Sequence, residues 1–399
     1  MKTKLFKFFF SLSILVFSAF LPLACLKSSQ ESTSAATAIL ENPPQISQTG
    51  ISDTIAVSVL KNISIKDEER YIRGIHLSSW MSGSGKQNRA VIEMIKKSEL
   101  NAVVIDLKET DGQICISDID SVYKGKISYN LIPNLSGFIK ELKENNIYII
   151  ARIVAFRDNS MPRKDPSLAV KTPSGAIWTD KNRIAWLDPY NPEAWDYILK
   201  IAERASELGF DEIQFDYIRF PTDGDLSTAR YSNKNHSNSE SSKAIVSFLK
   251  EANRRLKARG VKISIDTFGL TVTGDDMGIG QKISDMAQWV DFISPMVYPS
   301  HYAKGAYGAS EPNKAPYRIV YESMKDAVKR IPAEKFRPWL QDFTIFNYKY
   351  GKDQVRAQIQ ACYDNGIGSW LLWNPRCIYT VSALKGPDEE NRFVKSRKK

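Results

Sequence analysis

Short apolar runs alternate along the chain with longer stretches in which apolar residues recur at helical spacing. Each short run has the length of a buried strand, and each longer stretch has the period of an amphipathic helix. Eight strands are predicted in this way: Tyr71–Leu77, Asn101–Leu107, Tyr148–Phe156, a strand within Gly209–Pro221 that ends on Asp216, Lys262–Phe268, Val290–Tyr298, Phe336–Phe343 and Gly368–Asn374.

Helical patterns with capping signals separate most of these strands. The clearest helix begins at Asn191-Pro192, where Asn can cap the helix and Pro takes its first position, and it ends at Gly209. Eight strands that alternate with helices predict a (β/α)8 TIM barrel, an α/β fold. The barrel domain covers 69–385, with a long insert after strand three and a reduced last helix.

An open doubly wound sheet is the alternative arrangement of the same elements. A nucleotide-binding sheet of that kind carries a glycine-rich phosphate loop after its first strand. Gly83 and Gly85 follow the first strand here, but without the dinucleotide or Walker spacing. The barrel is therefore favoured, and no cofactor is expected.

The N-terminal segment has the layout of a bacterial secretory signal. Residues 1–24 carry three lysines and then an apolar run, and Pro22-Leu23-Ala24-Cys25 resembles a lipobox. We predict a lipoprotein-type signal peptide at 1–24, lipidation of Cys25 and a flexible, polar tether at 25–68. An ordinary signal peptide and an uncleaved anchor are the alternatives. The prediction places the protein in the cell envelope, anchored to a bacterial membrane by lipid.

Charge and histidine content argue against several kinds of site. The net charge of +10 falls by three when residues 1–24 are removed, and the basic tail at 386–399 accompanies no nucleic-acid motif. Three histidines make a multi-histidine metal centre improbable. Lys108 could serve a Schiff-base aldolase, but an ion pair with the adjacent Glu109 is the favoured interpretation. Buried thiols are expected at Cys115, Cys362 and Cys377, with at most one disulfide.

Polar and charged residues concentrate where the predicted strands end. In a barrel of parallel strands these ends form one rim, and that rim carries the active site. Carboxylates and amides interleaved with Trp and Tyr are typical of a sugar site. The candidate catalytic residues are Asp216 and Asp266, and the candidate substrate-binding residues are His76, Asp106, Arg152, Arg219, Tyr298, His301, Asp342, Trp373 and Asn374.

Two carboxylates on neighbouring strands suit glycoside hydrolysis. One carboxylate acts as nucleophile or stabiliser and the other as acid/base, which requires that their pKa values differ. We predict Asp216 in the first role, kept charged by Arg219, and Asp266 in the second. Asp106 and Asp342 are further candidates for the proton donor. The competing interpretation is an Asp–Arg network that only braces the barrel mouth.

Three segments together resemble a known family. Gly209–Pro221, Ser264–Gly269 and Trp289–Pro299 are similar to the bacterial "putative glycoside hydrolase" domain family, which is distantly related to α-amylase-like and α-galactosidase-like barrels. The resemblance covers about Tyr71 to Asn374. It implies a nucleophile at Asp216 and an acid/base on strand five or six, where Asp266 matches.

These observations predict a glycosidase that cleaves an extracytoplasmic polysaccharide or cell-envelope glycan. The expected partners are an oligo- or polysaccharide substrate and the membrane, and a monomer is expected, without nucleic acid or metal. The alternative is a noncatalytic carbohydrate-binding lipoprotein with a degenerate site.

Overall fold

The computed structural model describes residues 71–116 and 128–386. The predicted signal peptide, Cys25, the tether and residues 387–399 of the basic tail lie outside the described residues. Across the two described ranges, no helix combines the length and the apolar character that a membrane crossing requires.

Eight parallel strands close into one barrel in the order β1 to β8. Each strand pairs with the next along the chain, and β8 pairs with β1. The predicted α/β fold class, a (β/α)8 TIM barrel, is confirmed. The strands are β1 Arg73–Leu77, β2 Ala102–Lys108, β3 Tyr148–Val154, β4 Glu212–Asp216, β5 Lys262–Phe268, β6 Phe292–Met296, β7 Trp339–Gln341 and β8 Trp370–Trp373.

Helices occupy the segments between the strands. A long segment with only short helical turns separates β3 from the helix Pro192–Leu208, as the sequence predicts, and a single 3-10 turn at Val381–Ala383 follows β8 within the described residues. The helices are α1 Ser79–Ser82, α2 Gly85–Lys96, α3 Leu135–Glu144, α4 Met161–Lys164, α5 Pro192–Leu208, α6 Asn238–Lys257, α7 Ile283–Met286, α8 Pro316–Val328 and α9 Lys352–Asp364.

Capping fixes the helix that delivers β4. The Asn191 side chain accepts a hydrogen bond from the Glu193 N–H at 2.9 Å, and Pro192 takes the first helical position. Gly209 ends α5 with a φ of 99°, a left-handed conformation that glycine adopts without a Cβ penalty. β4 therefore begins at Glu212, only four residues after the last helical residue, Leu208.

A side-chain acceptor directly precedes every even-numbered strand. Each one accepts a hydrogen bond from a backbone N–H at the start of an adjacent odd-numbered strand, at 2.8–3.0 Å. These bonds satisfy backbone N–H groups at the amino-terminal ends of the strands. Side chains therefore help to fix the strand register, in addition to the backbone hydrogen bonds between strands. The pairs are Asn101 with Arg73, Asp211 with Ile149, Asp291 with Ile263, and Ser369 with Ile72.

The barrel interior combines an apolar cluster with a buried polar layer. Side chains that alternate inward from β2, β3, β7 and β8 form the apolar cluster. The buried polar layer comes from inward residues of β4 and β5 and from Ser294 of β6, and Gln214 donates to Ser294 at 3.3 Å. At the amino-terminal end, Glu212 and Arg337 form an ion pair in which both side chains are fully buried.

Several further contacts hold this ion pair. Glu212 also accepts hydrogen bonds from Ser264 and from the Tyr148 hydroxyl, and the guanidinium of Arg337 lies over the ring of Phe292 at 4.6 Å. A buried charge whose partner is removed loses its compensation without regaining water. The pair is therefore expected to be costly to break.

We expect Arg337→Met to lower the free energy of unfolding by about 3–5 kcal/mol, because it leaves the Glu212 carboxylate buried without its cation. Urea denaturation of the purified protein measures this change. The double variant Arg337→Met/Glu212→Leu should recover part of the loss. Lys243→Met, which breaks an exposed pair with Glu240, is the control and should change stability by less than ~1 kcal/mol. A loss that small for Arg337→Met itself would contradict the expectation.

Candidate active site

Inward-facing residues of adjacent strands bring charged side chains together at the carboxyl-terminal half of the barrel. Asp106 of β2 is in register with Arg152 of β3, and Val154 is in register with Asp216 of β4. Asp266 follows on β5, with His76 on β1 at the other side. The structure therefore groups these five of the eleven predicted site residues, and Trp373 contacts two of them.

Arg152 is the centre of this group. Its Nη1 atom lies 2.6 Å from Asp106 Oδ1, its Nε and Nη2 atoms donate to Asp216 Oδ2, and its Nε lies 3.7 Å from Asp266 Oδ2. The guanidinium also lies over the ring of Trp373 at 5.2 Å. The buried guanidinium thus faces three carboxyl groups at once.

His76 supplies a second positive charge. Its Nε2 atom lies 2.7 Å from Asp106 Oδ2, and its ring stacks on Trp373 with centroids 3.9 Å apart. Burial acts to lower the pKa of His76, but the Asp106 carboxylate and Cys377 outweigh it and raise the pKa to about 9. The charges of His76 and Arg152 keep the pKa of Asp106 below its ordinary value despite burial, which disfavours Asp106 as a proton donor.

Asp216 and Asp266 lie in different environments. Asp216 accepts hydrogen bonds from Arg152 and from the Tyr217 N–H at 2.6 Å. Asp266 is 1% exposed and accepts one from Trp339 Nε1 at 2.7 Å. Burial and the Asp216 charge raise the pKa of Asp266 well above its ordinary value. The two carboxyl groups therefore differ in hydrogen bonding, and burial favours the neutral form of Asp266.

The separation of the two carboxyl groups is bounded by their shared partner. Asp216 Oδ2 lies 3.2 Å from Arg152 Nε, and Asp266 Oδ2 lies 3.7 Å from the same atom. These two oxygens cannot lie farther apart than the sum of the two distances. That bound is compatible with the ~5–5.5 Å of retaining glycosidases and with the lower end of the ~6.5–9.5 Å of inverting ones.

The backbone turns sharply directly after Asp216. Tyr217 has a φ of 49°, in the left-handed region that non-glycine residues seldom adopt. Its N–H donates to the Asp216 side chain that precedes it. Strained conformations of this kind cluster at functional sites.

Arg219 does not hold Asp216 in the way that the sequence suggests. Its Nη1 atom donates to Phe220 O at 2.9 Å and to Thr222 Oγ1 at 3.3 Å, and its guanidinium lies over the ring of Trp186 at 5.0 Å. The cation bound to Asp216 is Arg152. The backbone changes direction at Tyr217, and this turn carries the Arg219 side chain away from the Asp216 carboxylate.

Three other predicted residues lie at the rim with different contacts. Asp342 accepts hydrogen bonds from the N–H and hydroxyl of Thr380, and Asn374 donates to Asp342 O and Ile378 O. These bonds fix the loop after β8. His301 is exposed and packs against the rings of Tyr298 and Phe343. A sugar-binding role for Asp342, Asn374 and His301 stays a prediction.

Aromatic side chains lie beside the carboxyl groups. Tyr298 is buried, and burial together with the charges of Asp266 and Asp216 raises its pKa well above the ordinary value, so that its hydroxyl stays protonated. Trp373 is half-buried and meets Trp339 edge to face at 5.4 Å. Trp373 is the ring that a sugar could reach at this position.

Sequence reasoning missed several residues of the site. Trp339 occupies an inward-facing position of a predicted strand, and the alternation of side chains along that strand could have identified it as a site residue. Cys377, whose Sγ lies 4.0 Å from His76 Nδ1, carried no such signal. The expected pair between Lys108 and Glu109 is wrong: Lys108 Nζ lies 2.9 Å from the buried Asp158, and Glu109 accepts from Ser79 Oγ instead.

Metal ligation has no support among the residues that the structure describes, since they hold no cluster of three or more His, Cys, Asp or Glu side chains arranged for an ion.

A family model described as "Putative glycosyl hydrolase domain" matches residues 74–379. No protein of curated function matches the sequence. A hypothetical protein from Ruminiclostridium thermocellum is 34% identical over 51% of this chain and 98% of its own, with a TM-score of 0.45.

Two glycoside hydrolases share the fold at low identity. The glycoside hydrolase domain of PgaB (BpsB) from Bordetella bronchiseptica is 11% identical over 79% of this chain and 99% of its own, with a TM-score of 0.60. The α-galactosidase AgaB from Geobacillus stearothermophilus is 10% identical over 84% of this chain and 41% of its own, with a TM-score of 0.50.

We expect His76 to remain protonated through pH 8, because the Asp106 carboxylate and Cys377 raise its pKa to about 9. Nuclear magnetic resonance titration of ¹³C-labelled imidazoles measures this value, and the His76→Gln variant identifies the signal. His236, whose pKa burial lowers, is the internal control and should titrate below ~6.5. A His76 signal that titrates together with that of His236 would refute the ion pair.

The same shift has a defined effect on stability. His76 has a higher pKa in the folded protein than in the unfolded chain, so its protonation stabilises the fold. This stabilisation is complete below the unfolded-chain pKa of ~6.5, and it is lost as the pH rises through about 9. Titration of Cys377 acts in the opposite direction, so unfolding should be compared in the Cys377→Ser background, with and without His76→Gln.

Proposed function

Because the chain belongs to the family of putative glycosyl hydrolase domains, we propose that it hydrolyses glycosidic bonds of an extracytoplasmic polysaccharide or cell-envelope glycan with Asp216 and Asp266. The observation that carries the proposal is the difference between the two carboxyl groups. Arg152 binds the Asp216 carboxyl group, whereas burial and the neighbouring Asp216 raise the pKa of Asp266 well above its ordinary value. Glycosidases need one charged and one protonated carboxyl group.

Asp216 is the proposed nucleophile or charge stabiliser. Its Oδ2 is bound by Arg152, and its Oδ1 accepts only the Tyr217 N–H among the hydrogen bonds of the described residues. Oδ1 is therefore the oxygen that can face the anomeric carbon, while the guanidinium orients the carboxylate. In a retaining reaction Oδ1 forms a bond to that carbon as the bond to the leaving oxygen breaks.

Asp266 is the proposed acid/base. As the glycosidic bond breaks, its proton passes to the leaving oxygen, and the resulting carboxylate then takes a proton from the attacking water. The Trp339 N–H bond at 2.7 Å supports Asp266 in both states. The sugar ring would stack on Trp373, where its hydroxyl groups could reach the surrounding charged residues.

A noncatalytic carbohydrate-binding site is the second candidate. The observation that favours it is the burial of both carboxyl groups, with Asp216 only 5% exposed and Asp266 only 1% exposed. Substrate must reach these groups before hydrolysis can occur. Binding without turnover would identify this alternative.

We expect Asp216→Asn to reduce kcat about 10³-fold or more while the protein stays folded, because the amide lacks the negative charge. Asp266→Asn should cost about 10²–10⁴-fold, with a smaller loss on aryl glycosides, whose leaving groups need little protonation. Hydrolysis is measured on a panel of bacterial envelope polysaccharides and nitrophenyl glycosides. Asp285→Asn, which removes an exposed carboxylate of α7, is the control.

Two outcomes would contradict this assignment. Activity of Asp216→Asn equal to that of the unchanged protein would exclude Asp216 from the reaction. Glycan binding by the unchanged protein, with no product from any substrate of the panel, would favour the noncatalytic site.

We also propose that Cys25 is lipidated and attaches the protein to the bacterial membrane. The support is the lipobox-like sequence Pro22-Leu23-Ala24-Cys25 after an apolar segment. Metabolic labelling with a fatty acid should label the expressed full chain, and Cys25→Ser should lose the label and leave the membrane fraction. A Cys377→Ser variant is the control, and absence of label from the unchanged chain would refute the proposal.

A further inference from the structure

Cys377 lies in a group of three side chains that the proposed hydrolysis does not use as a unit. The His76 ring separates Cys377 from Asp106: Nδ1 of the ring lies 4.0 Å from Sγ, and Nε2 lies 2.7 Å from Asp106 Oδ2. A thiol, an imidazole and a carboxylate in this order form the arrangement that activates a sulfur nucleophile.

Two groups stabilise negative charge on this sulfur. The backbone N–H of Ser78 donates to Sγ at 3.3 Å, and the His76 imidazolium faces the sulfur from the neighbouring strand β1. His76 is only 3% exposed, and Asp106 fixes its ring. Burial alone would raise the pKa of Cys377, but the hydrogen bond and charge of His76 lower it below the ordinary thiol value.

The backbone presents this sulfur at the barrel mouth. Cys377 closes the turn after β8 through a hydrogen bond from its N–H to Asn374 O at 2.9 Å, and its φ is 52°. Its residue is half-buried, whereas Cys115 and Cys362 are fully buried. Burial raises the pKa of those two thiols well above the ordinary value. Among the three described cysteines, only Cys377 combines access with activation.

We propose that Cys377 is a reactive thiolate that takes small electrophiles and peroxides at the mouth of the barrel, and that His76 and Asp106 activate it. With hydrogen peroxide, the thiolate sulfur attacks one oxygen, an S–O bond forms and the O–O bond breaks. The sulfur loses two electrons, and the departing hydroxide takes a proton to leave as water. With iodoacetamide, the sulfur attacks the methylene carbon and iodide departs.

Modification would change the site that binds sugar. A group added to Sγ must occupy the space next to His76, whose ring stacks on Trp373 at 3.9 Å. It also removes the charge that faces the imidazolium. Resting on the proposed function, we infer that modification of Cys377 obstructs substrate at this rim.

Alkylation of the native full chain tests the thiolate directly. The protein is treated briefly with iodoacetamide at pH 6.5, and mass spectrometry of its peptides reports each cysteine separately. An ordinary thiol is ~1% ionised at this pH, so an activated one should react about tenfold faster after allowance for its lower nucleophilicity. Cys377 should therefore react about tenfold faster than in the same chain unfolded in urea, while Cys115 and Cys362 remain protected.

The His76→Gln variant tests the activating partner. It should slow alkylation of Cys377 about tenfold at pH 6.5 while Cys115 and Cys362 stay protected, which shows that the variant is folded. The pH dependence of Cys377 alkylation in the unchanged protein, measured between pH 5.5 and 9, is a test that requires no variant. For an activated thiolate, the alkylation rate should reach a plateau above the neutral range. A rate that rises tenfold per pH unit up to pH 8, or that is no faster than in urea, would overturn the proposal.

Peroxide and activity measurements complete the test. Treatment with hydrogen peroxide and dimedone should label Cys377 in preference to the two buried thiols, and Cys377→Ser should lose that label. Once a substrate is known, alkylation should inhibit the unchanged protein, whereas the same treatment should not change the activity of Cys377→Ser, whatever the level of that activity. Labelling of Cys377 without any glycoside hydrolysis would support the reactive thiolate and refute the proposed hydrolase. Glycoside hydrolysis without labelling of Cys377 would support the hydrolase and refute the reactive thiolate.

Discussion

The buried guanidinium of Arg152 makes the arrangement at the barrel mouth possible. Three carboxyl groups converge on it, and three negative charges beside one positive charge would be strongly unfavourable away from water. Two features of the structure offset this repulsion: the raised pKa of His76 supplies a second positive charge, and the pKa of Asp266 lies well above its ordinary value, which favours its neutral form. The chemical difference between Asp216 and Asp266 follows from this crowding of carboxyl groups around one guanidinium.

The barrel separates this group from a second buried charge pair. Glu212 and Arg337 lie at the amino-terminal end, where Tyr148 and Ser264 complete their hydrogen bonds. Both layers come from the same inward-facing positions of the strands, since Glu212 and Asp216 differ by an even number of residues. The Glu212–Arg337 pair is enclosed by its own hydrogen-bond partners, whereas the charged group around Arg152 lies below a rim of aromatic side chains and loops.

The positions of the strands, and which of their residues point into the barrel, could be predicted from sequence. Apolar runs and the alternation of side chains along a strand are local properties of the chain. Eight strands and the inward direction of Asp216 and Asp266 follow from them. The partners could not be predicted in the same way. Arg152 reaches Asp216 through strand register, and Arg219 leaves it because Tyr217 adopts a positive φ. Lys108 pairs with Asp158 rather than with Glu109, because Glu109 lies beyond the end of β2 and accepts a hydrogen bond from Ser79.

The four side-chain acceptors that precede the even-numbered strands have a consequence for how such a barrel can diverge. Asn101, Asp211, Asp291 and Ser369 fix register at the end remote from the mouth, and they need only an oxygen at one position each. Loops at the opposite end are then free to lengthen, as the one after β3 has, without shifting the strands beneath them. The barrel can exchange the segments that meet a ligand while its alignment stays anchored elsewhere.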